Sequence, residues 1–481
     1  MVFRQLGFLW TLISFSALSC VAQGQLDVSA DIDSSLGVDT TTNSDLVADA
    51  GEISAEGPID FVEQEQTWHR NEYVPWNYIE RPRRTRRRSF WDIDSWMIDG
   101  WIQQGATLNT ASPDNRSNFP VLFNDRSNDY QLNQLYLRMG KEVDPTADRW
   151  DFGGRIDINY GTDSRFLTVP GLEEHDDRSQ RWNREDSDYR VALPQAYFDI
   201  GMPIGEYGGT LRLGHFYALG GFETVTAPDN LFYSHSYSFL YGQPFTDTGS
   251  MWMQRLNETT AMAVAGTLGW DSLDGDTGEW GIRAGVLKRF NDGDTSIGLT
   301  GHFGEDFSGI RTANGPVGDN RIWVSLVLKQ YLTRKSYWVM QADYGRQNQA
   351  VSVLDLANNV VSFETGQWWS VTQYLMCDIN ERNSAGIRFE WFNDDGNSRI
   401  GVPIEFAGSG PAFDGGHYFG LTGGWTHRPH ELVQLRQEVR WDFSDVESNP
   451  NVPGGVAGVR PFNDRSDSNQ LTLAMDLIFQ F

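Results

Sequence analysis

The residue types that could carry covalent chemistry are sparse in this sequence. Its eight histidines include His235, which stands in YSHSYS (233–238) with a serine on either side. A serine beside a histidine base is the arrangement that makes a nucleophile for ester hydrolysis, as in a phospholipase. Adjacent residues of an extended segment point to opposite faces, so Ser236 is poorly placed to pair with His235. No H-E-x-x-H, G-x-S-x-G or phosphate-loop pattern occurs. Two acidic stretches, DSLDGDTGE (271–279) and NDGD (291–294), could attract calcium. Neither completes the twelve-residue calcium-loop pattern, and the second reads more simply as a hairpin turn. No catalytic residue, resident metal or cofactor is expected, and an enzyme is the weakest reading.

The charged residues that do follow a pattern alternate with apolar ones. Trp150, Phe152, Ile156, Ile158 and Tyr160 share one parity, while Asp151, Arg155, Asp157 and Asn159 share the other. Val433, Leu435, Val439, Trp441 and Phe443 alternate with Gln434, Arg436, Glu438, Arg440 and Asp442. At the end of the chain, Leu471, Leu473, Met475, Leu477, Phe479 and Phe481 alternate with Gln470, Thr472, Asp476 and Gln480. Side chains of a strand alternate between its two faces, so each segment is a strand with one apolar and one polar side. If the apolar side faces lipid, then Arg155, Asp157, Arg212, Arg283, Arg321, Arg388, Glu390, Arg436, Glu438 and Arg440 line an interior wall. Turning an arginine to mid-membrane lipid would cost about 2–4 kcal/mol, which favours the inward placement. Rings of charge set ion selectivity in pores. The plainer alternative is that these charges neutralise one another and keep the interior wet.

Sixteen such segments can be counted, near 98–109, 129–142, 149–160, 191–201, 209–217, 249–257, 259–270, 280–290, 295–304, 321–332, 335–345, 367–378, 384–392, 417–427, 430–443 and 469–481. Many approach the ~9–11 residues that a tilted strand needs to cross a bilayer. Their connections alternate strictly. Long ones (110–128, 161–190, 218–248, 271–279, 305–320, 346–366, 393–416, 444–468) follow odd segments, and short turns follow even ones. That is the pattern of an all-β transmembrane antiparallel barrel with short periplasmic turns and long extracellular loops. Trp150, Tyr160, Trp270, Trp280, Trp441 and Phe443 fall near segment ends, where aromatic girdles belong.

Composition agrees. Lys plus Arg is 38 against 65 Asp plus Glu, a formal charge of −27, and only 39% of residues are hydrophobic. That excludes a bundle of apolar spanning helices and argues against nucleic acid as a partner. Aromatics reach 13% and glycines 49, unlike a disordered acidic chain. Residues 1–24, with Arg4 and the apolar run LGFLWTLISFSAL, read as a signal peptide. Residues 25–66 hold eleven acidic side chains and no Lys or Arg, and read as a disordered linker. A basic and aromatic segment, 67–97, carries RPRRTRRR (81–88) and precedes the barrel at 98–481. The eight long connections carry −18, so the wall itself is nearly balanced.

Four stretches resemble the β-barrel porin family that is similar to the outer-membrane porin L. They are FNDRSNDYQLNQLYL (123–137), WDFGGRIDINYGTDSRF (150–166), LPQAYFDIGMPIG (193–205) and GHFYALGGFETVTAPDNLFYSHSYSFLYGQPFTDTG (214–249). The resemblance implies a pore in the outer membrane of a two-membrane bacterium, passing small hydrophilic solutes or ions by passive diffusion. The expected partners are outer-membrane lipid, those solutes, the outer-membrane assembly machinery reading the terminal Phe481, and, by analogy with other sixteen-stranded porins, two further copies in a homotrimer. The same analogy implies that connection 218–248 folds inward as a constriction, with Glu223, Asp229 and Asp247 facing the wall arginines across a transverse field. The rival reading is a structural or surface-interaction barrel without an open pore.

Overall fold

The computed structural model describes residues 96–175, 179–185, 187–273, 280–312, 315–354, 360–400, 415–448 and 458–481. The expected signal peptide, linker and arginine run lie outside these residues, as does 274–279 of the first acidic stretch. Among the described residues the chain forms sixteen antiparallel strands in a closed barrel, each paired with its sequence neighbours and β1 paired with β16. They are β1 (Met97–Asn109), β2 (Asp129–Lys141), β3 (Asp151–Gly161), β4 (Arg190–Met202), β5 (Gly209–Tyr217), β6 (Thr246–Asn257), β7 (Thr260–Thr267) and β8 (Gly281–Phe290). The second half is β9 (Thr295–Thr312), β10 (Gly315–Tyr331), β11 (Ser336–Leu354), β12 (Val360–Asn380), β13 (Asn383–Asp395), β14 (Gly415–His430), β15 (Val433–Ser444) and β16 (Asn469–Gln480).

Two expected long connections are absent. Residues 305–320 and 346–366 are largely strand: β9 and β10 join at 313–314, and β11 and β12 at 355–359. Alternation of apolar and polar side chains fades where both faces of a strand meet water. The backbone ladder does not depend on that alternation, so period-two reading ends a strand too early.

The expected polarity is observed, inverted relative to a soluble protein. Lipid-facing side chains are exposed, as for Ile98 (66%), Phe303 (54%) and Met475 (52%), whereas Arg388, Arg440 and Glu390 of the opposite parity show no exposure. Closure is tight at the seam. Gly100 N–H donates to the Phe481 carbonyl at 3.0 Å, and Phe481 N–H donates to the Gly100 carbonyl at 2.9 Å. A side chain at Gly100 would strike the Phe481 ring and the Tyr136 carbonyl, so glycine lets the last ring lie against the first strand.

Met475 sits midway along β16 on the lipid face. Met475→Arg is expected to lower the unfolding free energy in vesicles by about 2–4 kcal/mol. Denaturant titration checks this, and a change below about 1 kcal/mol would contradict the assigned face.

Candidate functional site

The connection between β5 and β6 runs inside the barrel. Phe216, Leu219, Phe222, Leu231 and Phe232 pack with inward residues of neighbouring walls, among them Met251, Ala263, Val327, Val339 and Met376. A second cluster joins Val225, Tyr237, Phe239 and Tyr241 of this loop to Phe123, Trp323, Trp368, Phe392 and Tyr418. Gly220 and Gly221 start the crossing with φ of +133° and +73°, and a side chain at Gly220 would strike the Trp323 ring. Glycine is needed there both for the backbone and for the close approach.

The far side of the loop is latched to β12–β16 by charge. Glu223 accepts from Arg388 Nη1 at 2.9 Å and Tyr374 Oη at 3.0 Å with one oxygen, and from Ser236 N–H at 2.8 Å with the other. His235 Nδ1 lies 3.2 Å from that second oxygen, and its ring stacks on Phe239. Arg388 also donates to Glu390 Oε1 at 2.8 Å and to the Ser234 carbonyl at 2.7 Å. Arg436 Nη1 donates to three loop carbonyls, of Ala227, Asn230 and Phe232, at 2.8–3.0 Å. Its Nε holds Asp476 at 2.9 Å. Arg440 donates to the His235 carbonyl at 2.7 Å and pairs with Asp442. The carboxylates work in the opposite sense: Glu438 accepts the Tyr233 N–H at 2.9 Å, and Glu390 the Tyr237 N–H at 2.7 Å. Loop N–H groups and carbonyls that would otherwise be buried without partners are thereby satisfied from the wall.

The remaining predicted residues pair within the wall. Arg155 binds Asp157 at 2.6 Å, and Asp157 also accepts from Tyr136 and Gln195. Arg212 forks onto Asp199 with both contacts at 2.9 Å and lies 3.6 Å from the Tyr197 ring centre. Arg321 donates to Gln347 at 3.0 Å and stands 3.9 Å from Asp306.

Three expectations about the loop need correction. Asp247 is not on it: β6 begins at Thr246, and Asp247 is a wall residue gripped by Arg283 at 2.7 and 2.9 Å. Asp229 lies in a short 3₁₀ turn (Ala227–Asp229), accepts from Thr226 and faces no arginine ion pair among the described residues. Glu223 does not face its arginine across a gap, because the two are in contact. A transverse field between loop and β12–β16 is therefore replaced by direct neutralisation. Nor do the arginines of β13 and β15 line an open surface, since the loop covers them.

Three of the wall pairs carry a signal in the sequence itself. Arg155 and Asp157, Arg388 and Glu390, and Arg440 and Asp442 are each two apart, hence on one face and within reach. Tyr374, Gln134, Asn133 and Asp163 hold the loop without any such signal. Gln134 donates to the Val225 carbonyl and to Asp163, and Asn133 links Tyr233 to Asp163. No serine or threonine hydroxyl bonds the His235 ring among the described residues.

Loop carboxylates titrate in two directions. Burial pushes Glu223 up, but Arg388 and His235 outweigh it and hold the carboxyl at about 2. Burial pushes Asp163 and Asp271 up to about 6 against their hydrogen bonds. A lowered carboxyl pKa contributes stability above its ordinary value that is lost as pH falls; a raised one contributes stability gained as pH falls. Resistance to denaturant should thus rise slightly from pH 7 to pH 4 and fall as pH approaches 2. Glu223→Gln is expected to cost about 3 kcal/mol at pH 7, because it strips a buried arginine of one partner. Denaturant titration across pH should show that cost shrinking towards pH 2, and a constant cost would contradict the ionised Glu223–Arg388 latch.

Residues 95–481 match the family described as "Putative beta-barrel porin-2, OmpL-like". No curated protein sequence matches the chain. Among solved structures, the fold is similar to the outer membrane channel DcaP of Acinetobacter baumannii (TM-score 0.50, 12% identity, 80% of this chain and 97% of that one). OprB of Pseudomonas putida follows (TM-score 0.49, 11% identity, 80% and 94%), with the anion-selective porin of Comamonas acidovorans (TM-score 0.46, 8% identity, 80% and 99%). With its sixteen-stranded closed barrel and a family match over the whole of it, the chain belongs to the OmpL-like β-barrel porins of the bacterial outer membrane.

Proposed function

We propose that small hydrophilic solutes and ions diffuse passively past the 218–245 loop, and that this loop sets the size and charge limits of the passage. The observation that carries the reading is the latch. Arg388, Arg436 and Arg440 donate to loop carbonyls, which fixes the narrowing element in place inside the barrel. A barrel of 16–18 strands is wide enough for a water-filled channel, and an inward loop reduces it without closing it by necessity. No covalent step is involved; the solute gradient drives the flux. In this reading Phe481 serves the assembly machinery as well as the seam, and the barrel works as a homotrimer.

One observation favours the rival, a barrel held closed. Arg283, Arg388, Glu390, Arg440 and Asp442 all have 1% exposure or less, so charges expected in an open lumen are covered. Conductance separates the two readings. The folded full chain in planar bilayers should conduct potassium chloride, and the double substitution Arg436→Gln and Arg440→Gln should loosen the loop and raise or destabilise the single-channel current. A stably inserted barrel with no conductance, wild type and variant alike, would defeat the pore.

A further inference from the structure

Three arginines converge on one tryptophan at the end of the barrel that carries the long connections. Trp270, half-buried in the connection after β7, has Arg321 at 4.5 Å from its ring centre, Arg399 at 5.2 Å and Arg283 at 6.0 Å. It meets Trp323 (5.9 Å, 78°), Trp368 (6.2 Å, 87°) and His302 (6.1 Å, 85°) edge to face. The sheet register builds this group. Arg283 of β8 sits beside His302 of β9, His302 beside Trp323 of β10, and Trp323 beside Gly345 of β11, the bare position over which the Trp368 ring lies.

The three guanidinium groups are not equally compensated. Arg283 is gripped by Asp247 through two bonds. Arg321 stands 3.9 Å from Asp306, which also binds His302 at 2.8 Å. Arg399, on the connection after β13, donates Nε to the Tyr241 carbonyl at 2.7 Å and makes no ion pair among the described residues. The aspartates around it are already engaged. Asp394 accepts the N–H groups of Ser398, Arg399 and Ile400, and Asp271 those of Phe245 and Thr246. Burial and the charge of Arg321 pull Arg399 down to about 10, against these aspartates. Unpartnered polar atoms gather here as well, Asp306 Oδ1 and His302 Nδ1 among them. Arg283 Nη1 and Trp323 Nε1 are buried with no hydrogen-bond partner, on residues 1% and 0% exposed.

We propose that this cluster binds a small carboxylate anion at the outer entrance, with Arg399 as its main charged partner. The assignment rests on the diffusion reading only for its role, as a site where a solute pauses on entry. A guanidinium over indole faces, as Arg399 lies over Trp270 and Trp368, keeps the edge that carries its two terminal nitrogens for a planar carboxylate. The surrounding rings exclude water and strengthen that attraction.

The test is calorimetric titration of the detergent-folded full chain with sodium malonate, sodium sulfate and glycerol. Malonate should bind; glycerol should not, and sulfate should bind more weakly. Arg399→Gln should weaken malonate by about tenfold or more, the scale of a lost charge-assisted bond. Arg399→Lys should recover part of the loss, and Trp270→Leu should weaken binding through lost stacking. Arg116→Gln, at an exposed pair with Asp129 in the first connection, should change nothing. Absence of malonate binding, equal binding of sulfate, or indifference to Arg399→Gln would each overturn the proposal. Potassium chloride conductance is recorded on the same samples. A silent barrel that still binds malonate through Arg399 defeats the diffusion reading and leaves the site standing.

Discussion

Lipid offers no hydrogen bond, so every backbone N–H and C=O of the membrane wall must be satisfied by an adjacent strand. That constraint fixes most of what is seen. It forbids an open edge, and so the last strand must return to the first, where Phe481 and Gly100 exchange their hydrogen bonds. With all neighbours antiparallel and joined in sequence order, closure also demands an even number of strands. It also fixes the parity of side chains. The face toward lipid must be apolar, and most charges of the spanning strands are driven into the interior.

The interior then poses the opposite problem. Charges packed into one space must be solvated or paired. Here much of the pairing comes from a single crossing loop, whose own buried backbone needs partners as much as the wall arginines do. Arg436 with its three carbonyl acceptors and Glu438 with its two N–H donors show the exchange in both directions. Buried ion pairs contribute little net stability, because desolvation offsets their attraction, but they penalise any arrangement that leaves one member alone. They therefore specify where the loop lies more than they strengthen the fold. The apolar residues on its flanks, such as Phe222 against Tyr374 at 4.9 Å between rings, supply contact without direction.

The two walls that flank the loop differ in kind. On β13 and β15 the arginines are engaged by the loop. On β8–β10 they gather with tryptophans near the long connections, where Arg321 and Arg399 share the faces of Trp270. Charge in this barrel is thus divided between a side anchored by the loop and a side gathered around Trp270, although the wall as a whole is almost neutral.

Much of the architecture was legible in the sequence. The sixteen strands, six of the eight long connections and the lipid-facing parity follow from a period of two that bilayer physics imposes residue by residue. Strand ends above the membrane were not legible, because β9–β12 continue where that selection stops. The inward charges were identified by parity, yet their partners were not. Parity says which face a side chain takes, whereas partners depend on the register of nearby strands and on a loop that crosses the barrel. Glu223 meeting Arg388, Asp247 belonging to the wall, and Arg399 reaching Trp270 across more than 120 positions are decisions of closure. Local spacing determines a strand; only a closed tertiary structure brings the far ends of the chain to the same charge.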